Sequence, residues 1–163
     1  MQLKIDLKGG VQLQKALKDL ERDIEKKEEV ALNKCAMFLV NAIKARTAKG
    51  VGVNVSGRTY TFEGYTDKYL NFLQSKRNKE GASSKVNLFY SGLMLANLQP
   101  KKVNKFTRRV HFPNQRQNLK AFYHDEVGVG KRQTKRTFMN VSKQEENKIQ
   151  KIFQQEINKI RLR

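Results

Sequence analysis

From Val11 to Arg46 the chain contains no proline or glycine, and Leu13, Leu17, Leu20, Ile24, Ala31, Cys35, Phe38 and Ala42 recur mostly at three- and four-residue steps. Only Glu28 interrupts the apolar register. At 3.6 residues per turn these positions fall on one stripe, so the spacing predicts an amphipathic helix of about 30 residues or more. A helix of that length exceeds what a compact domain of 163 residues normally contains. It is expected to project, or to pack across a neighbouring subunit; a kink or break near Glu28 is the alternative. Glu21 and Glu25 form a like-charge pair one turn apart, so tertiary packing has to supply most of the helix's stability. The second half, Val30 to Ile43, is apolar on more faces and belongs in a core or a subunit contact. Cys35 lies on the apolar stripe and reads as a small core residue.

Around this helix the chain reads as α+β. Leu3, Ile5 and Leu7 alternate with polar residues, as in a half-buried first strand, and Gly9 and Gly10 end it. The stretch from about 47 to 87 is rich in glycine and polar residues and is expected to be an exposed loop or arm. Within it Thr59 to Phe62 suits a short β-arm and Asp67 to Gln74 a short helix, with Phe62, Tyr65 and Tyr69 as apolar anchors. Leu88 to Leu98 is apolar on nearly all faces and predicts a helix from near Ser91, stopped by Pro100. In Lys101 to Phe112 the residues Phe106, Arg108, Val110 and Phe112 share one parity, which reads as a basic strand ended by Pro113. Phe122 to Val127 is an apolar patch, a strand or a helix end. Ser142 followed by Glu145 forms a capping box for a last helix carrying Ile149, Ile152, Phe153, Ile157 and Ile160 on one face. The acidic residues of its first turn and Arg161 and Arg163 at its end match the helix dipole. The expectation is one domain over residues 1–163, with a long N-terminal amphipathic helix and a C-terminal helix packed on a small, mostly antiparallel sheet, and an extended glycine-rich loop.

Lysine and arginine number 34 against 15 acidic residues, a net charge of +19. A domain of this size is kept soluble by a net charge of about 2 to 8, so an acidic partner or a polyanion is expected within a Debye length, about 8–10 Å. Cys35 is the only cysteine, which excludes an internal disulfide and a cysteine-based zinc site. No window approaches the ~20 apolar residues of a membrane span, and the first residues lack a signal peptide's apolar stretch. Assembly in a cytosol, away from membranes, is the expectation.

Catalytic signatures are sparse. Residues 49–57 lack the Lys-Ser/Thr of a phosphate loop and the dinucleotide-binding fingerprint. His111 and His124 are the only histidines. His124 beside Asp125 and Glu126 has metal-ligand types, but neighbours on a strand point apart, and a structural histidine is the simpler reading. No cofactor and no enzymatic activity are expected. Nucleic-acid binding competes more strongly. Lys105, Arg108, Arg109, Lys131, Arg132, Lys135 and Arg136 lie in a basic stretch interleaved with aromatic residues, as phosphate contact and base stacking require.

Taken together, the landmarks resemble the small tail-completion and neck proteins of tailed bacteriophages, the head-tail joining or virion morphogenesis group. Gly57, Tyr60, Phe62, Tyr65, Thr66 and Tyr69, followed by KRNKEG at 76–81, are similar to that group's aromatic loop and lysine-rich stretch. Val86, Leu88, Ser91, Gly92, Leu93, Met94 and Leu98 match its apolar Ser/Thr-Gly-x-Met/Leu segment. Ala121, His124 and Gly128, then Arg136, Phe138, Met139 and Ser142, match two further elements. The chain departs from the group in the longer His124–Gly128 spacing and in having Thr134 and Lys135 where a proline is usual. The resemblance covers about residues 57–163 by motif. It implies a virion structural subunit forming a ring, hexameric or dodecameric, around the DNA channel. Its neighbours would be other neck, portal-adaptor or tail-tube proteins, with non-specific contact to packaged DNA. Phe62, Tyr65, Tyr69, Leu93, Met94, His124 and Phe138 would be core or interface anchors, and the basic residues would face DNA or acidic partners. A nucleic-acid-binding protein acting outside a virion, or an RNA-packing basic protein, is the alternative.

Overall fold

The computed structural model describes residues 9–76, 86, 88 and 92–160. The expected first strand, Ser91, Arg161, Arg163 and all of KRNKEG except Lys76 lie outside the described residues.

The expected helix is a single element, α1, spanning Gly10–Ala48 over 39 residues without a break. At 1.5 Å per residue it is about 58 Å long. It begins after Gly9, whose φ of 116° only glycine adopts readily. Two short elements follow, β1 at Val51–Val53 and β2 at Thr59–Thr61, paired antiparallel with Gly52 opposite Tyr60. A helix α2 covers Asp67–Lys76, and a single turn α3 covers Leu93–Ala96. A second hairpin joins β3, Gln99–Asn104, to β4, Thr107–His111. Next come α4 at Gln115–Phe122, a π-helical turn at Tyr123–Val127, and the last helix, α5, at Lys143–Ile157. The α+β reading holds, with the strands divided between two separate two-stranded antiparallel sheets.

Helix α5 runs back along α1. Arg46 pairs with Glu145 at one end of the contact and Lys34 with Glu156 at the other. The second hairpin lies on an adjacent face of α1, held by Lys102 to Glu29, Lys105 to Glu25, and Arg108 to Glu29 and Asn33. Between these layers sits the core: Val40 and Ile43 of α1 meet Phe62, Val86, Leu88, Met94, Leu95, Leu98, Phe112, Ala121 and Phe138. Cys35 is buried as expected, and burial raises its thiol pKa. Among the described residues no helix is long and apolar enough to cross a membrane.

Several local expectations change. Lys101 to Phe112 is a hairpin rather than one strand, because Asn104 turns the chain: its side-chain oxygen accepts the Phe106 N–H at 2.9 Å. Parity survives for Arg108, Val110 and Phe112, which face inward, while Phe106 at the turn is 67% exposed. The first hairpin, expected in an exposed arm, is anchored in the body. Val53 donates to the Thr137 carbonyl at 2.9 Å, and the Tyr60 hydroxyl lies 2.8 Å from the Thr137 hydroxyl. Gly52 permits this approach, since a Cβ there would lie 2.5 Å from the Thr137 carbonyl oxygen. The predicted helix after Ser91 is limited to α3, which closes at Asn97; Pro100 stands inside β3 opposite Val110. Helix α4 was not expected. Directly after Pro113, Asn114 is its N-cap, and the Asn114 side-chain oxygen accepts the Gln117 N–H at 3.1 Å.

Candidate functional site

The motif residues of the last third converge on Arg136. This side chain is only 6% exposed, and its guanidinium lies over the ring of Tyr65, 5.6 Å from the centroid. Its backbone N–H donates to the His124 carbonyl at 2.7 Å. Next to it Asp125, itself buried, accepts the N–H groups of Phe138 at 2.6 Å and Met139 at 3.0 Å. Phe138 is fully buried and meets Phe112 edge to face. The π-helical turn thereby clamps the returning chain and sets where α5 begins. Arg136 does not offer the surface contact expected of it: its charge is spent against an aromatic ring in the interior.

His124 is pushed down to about 4, first by burial and then by the charges of Arg136 and Lys120. Its Nδ1 is buried with no hydrogen-bond partner among the described residues. A neutral, enclosed imidazole of this kind orients and packs. Among the described residues no three His, Cys, Asp or Glu side chains are grouped to hold a metal ion.

Phe62 and Met94 are buried, whereas Leu93 is 54% and Tyr69 39% exposed. Tyr69 joins a short aromatic ladder, edge to face with Tyr65 and stacked on Phe72. Lys105 and Arg108, read from sequence as phosphate contacts, are turned onto the glutamates of α1, and the Arg108 side chain is just 4% exposed. Arg132 reaches Glu63 at 3.5 Å. Arg109, Lys131 and Lys135 are exposed and take part in no salt bridge among the described residues.

Two surfaces then stand out. The first lies between the β3–β4 hairpin and the α4 region. Lys101 lies directly opposite Arg109, and Lys102 directly opposite Arg108. Like charges across a ladder repel. The Lys102–Arg108 pair is neutralised by Glu29, yet Lys101–Arg109 has no carboxylate partner among the described residues. These two cations and His111 rim a cleft of about 640 Å³ whose apolar lining includes Phe112, Ala121, Phe122 and Met139. Asp125 and Glu126 stand at its α4 side, Asp125 being engaged by backbone N–H groups.

The second surface is the beginning of α1. The stripe that α5 covers at Ala31 and Cys35 continues toward the N-terminus through Ile24 and Leu20, which are half-buried, to Leu17 and Leu13, which are 56% and 62% exposed and have no other element packed over them among the described residues. No hydrogen bond or ion pair links residues 10–24 to another element of the described structure; the first such contact is Glu25 with Lys105. Six of the chain's 15 acidic residues fall between Asp19 and Glu29. At 100° per residue, Glu21 and Asp23 flank the bare stripe on its two sides, and Lys15, Lys18 and Arg22 lie on the back.

The sequence places Lys101 in a basic stretch, Phe122 in an apolar patch and His111 among two histidines, but does not bring them to one cleft, nor show how far the α1 stripe is left uncovered. Their signal is relational: it needs the hairpin register and the point where α5 stops. The chain matches no family profile, no curated protein and no solved structure.

Proposed function

We propose that this protein is a structural subunit that assembles with copies of itself into a ring at the neck or tail terminus of a bacteriophage particle. The observation that carries self-assembly is the bare apolar stripe at the start of α1. The first turns of α1, up to about Lys18, gain nothing from packing among the described residues, and in a helix most stability comes from packing of its apolar face. Covering Leu13 and Leu17 contributes about 1–2 kcal/mol each, enough with neighbouring contacts to hold one subunit to the next. The placement in a virion rests on the motif resemblance, of whose residues Tyr65, Ala121, His124, Arg136 and Phe138 belong to the internal scaffold described above. In this reading they position surfaces and perform no chemistry. The charge of +19 is balanced in the particle by acidic partner subunits and by packaged DNA.

Sedimentation of the purified chain across a range of concentrations tests the assembly. A discrete species of higher mass, forming reversibly as concentration rises, is expected. A monomer throughout contradicts the proposal. The exposed cations Arg109, Lys131 and Lys135 favour the second reading, non-specific binding of nucleic acid outside a virion. Steep salt dependence of duplex DNA binding by a strictly monomeric chain would select it.

A further inference from the structure

We infer that the projecting segment of α1 docks into the β3–β4/α4 cleft of a second copy of this chain, a head-to-tail contact between two different surfaces. The inference rests on the self-assembly reading and goes beyond it by naming both faces. Three observations favour this occupant.

The first is shape. Leu13, Leu17, Leu20 and Ile24 stand at i, i+4, i+7 and i+11, the anchor spacing of a helix laid in a groove. The cleft of about 640 Å³ offers apolar walls to receive such anchors, with Phe122 51% and Val103 47% exposed along it. The second is charge. Glu21 and Asp23 edge the stripe on both sides and make no ion pair among the described residues, while the hairpin side of the cleft carries Lys101 and Arg109, which form no salt bridge among the described residues, beside His111; on the opposite side stand Glu126 and Asp125, the latter engaged by backbone N–H groups. An acid-edged apolar ridge matches the cationic hairpin edge of the groove. Pairing two α1 stripes side by side in parallel would set Asp23 against Glu28, which repel. The third is precedent inside the molecule. The inner face of the same hairpin already binds the next part of the same helix, Lys102 and Arg108 meeting Glu29, and Lys105 meeting Glu25. The other face carries the same kind of cation pair, Lys101 opposite Arg109, and lacks the helix.

Since ridge and groove are different patches, one copy offers its ridge to the next while its own groove takes another, and such contacts close into a ring when the rotation allows. A symmetric pair through one patch would stop at a dimer.

Charge reversal in the full-length chain tests the docking. E21K/D23K and K101E/R109E alter exposed side chains only, and circular dichroism checks that each variant folds. Each pair is expected to weaken self-association by about tenfold or more at low salt, and the quadruple variant to recover most of the loss. As a second readout, chains carrying L17C mixed with chains carrying F122C are expected to form a mixed disulfide under mild oxidation, in preference to L17C–L17C. Assembly of the wild type that neither reversal affects overturns the docking and leaves self-assembly standing. Preferred L17C–L17C bonding also overturns it, by assigning the stripe to a symmetric pair. A wild type that stays monomeric at every concentration overturns both. Binding of a short DNA duplex that K101E/R109E abolishes, with assembly intact, overturns it by giving the groove to phosphate.

Discussion

Replacing Glu145 by alanine removes two structural functions at once, and the geometry sets the size of the loss. One carboxylate oxygen accepts the Ser142 N–H at 2.7 Å, closing the capping box of α5. The other accepts from Arg46 Nε at 2.8 Å, with both side chains about 90% enclosed, at 10% and 11% exposure. Without it the Arg46 guanidinium keeps, among the described residues, the Asn140 carbonyl as its one hydrogen-bond partner in a buried site. Breaking a buried ion pair from one side costs about 3–5 kcal/mol, against about 1 kcal/mol for loss of a cap alone. For a domain of this size the first figure lowers Tm by roughly 6–20 °C. Urea and thermal unfolding followed by circular dichroism measure this directly. Ser142→Ala, which removes the cap and leaves the ion pair, is expected to cost about 1 kcal/mol. The double change Arg46→Met with Glu145→Met is expected to cost less than Glu145→Ala, since no charge is left unpaired. If Glu145→Ala costs no more than Ser142→Ala, the reasoning that ties α1 to α5 through this pair is refuted.

Three further outcomes follow from the same structure. Glu156, pulled down to about 2 by Lys159 and Lys34, binds its proton less readily folded than unfolded; its stabilisation is complete above the ordinary carboxylate pKa and fades as pH falls from there toward 2. Glu156→Gln should therefore flatten the acid limb of a stability-versus-pH profile. His124, held near 4 by burial, takes up a proton in the unfolded chain first, so its share of stability declines as pH drops from about 6.5 to 4 and levels off below; His124→Phe should remove that slope if the pocket accepts the ring. Gly128 has φ +95°, and a Cβ there would lie 2.1 Å from the Gln133 carbonyl oxygen, so Gly128→Ala should cost at least about 1–3 kcal/mol, whereas Gly130→Ala, with open space around it, should cost less.

Long-range order in this fold was legible where one periodicity runs far. The α1 stripe and the Ser142–Glu145 box carry their own evidence, because helix faces and caps depend on residues three and four apart. The β-elements were harder. Lys101 to Phe112 keeps one alternation through its turn, and only the side chain of Asn104, which can accept from the backbone two residues on, marks where the strand folds back. Helix α4 was missed because it is short and wet, with Gln117 and Ala121 as its buried positions; Asn114 after Pro113 was the available signal. Charge misled in a specific way. Lys105, Arg108 and Arg136 look alike with Lys131 and Lys135 in a sequence, but the first three are used inside the molecule, two on α1 glutamates and one on Tyr65. Which cations remain for a partner depends on contacts more than 70 residues apart, such as Arg108 with Asn33.

In the proposed assembly the exposed start of α1 is covered by another copy of the chain. Native mass spectrometry of the intact protein, taken from dilute to concentrated solution and repeated with Leu17→Asp, reports on that contact. One closed oligomer is expected to dominate at high concentration for the unaltered chain, and to be lost in the variant while the fold persists. Identical monomer spectra for both chains at every concentration would contradict it.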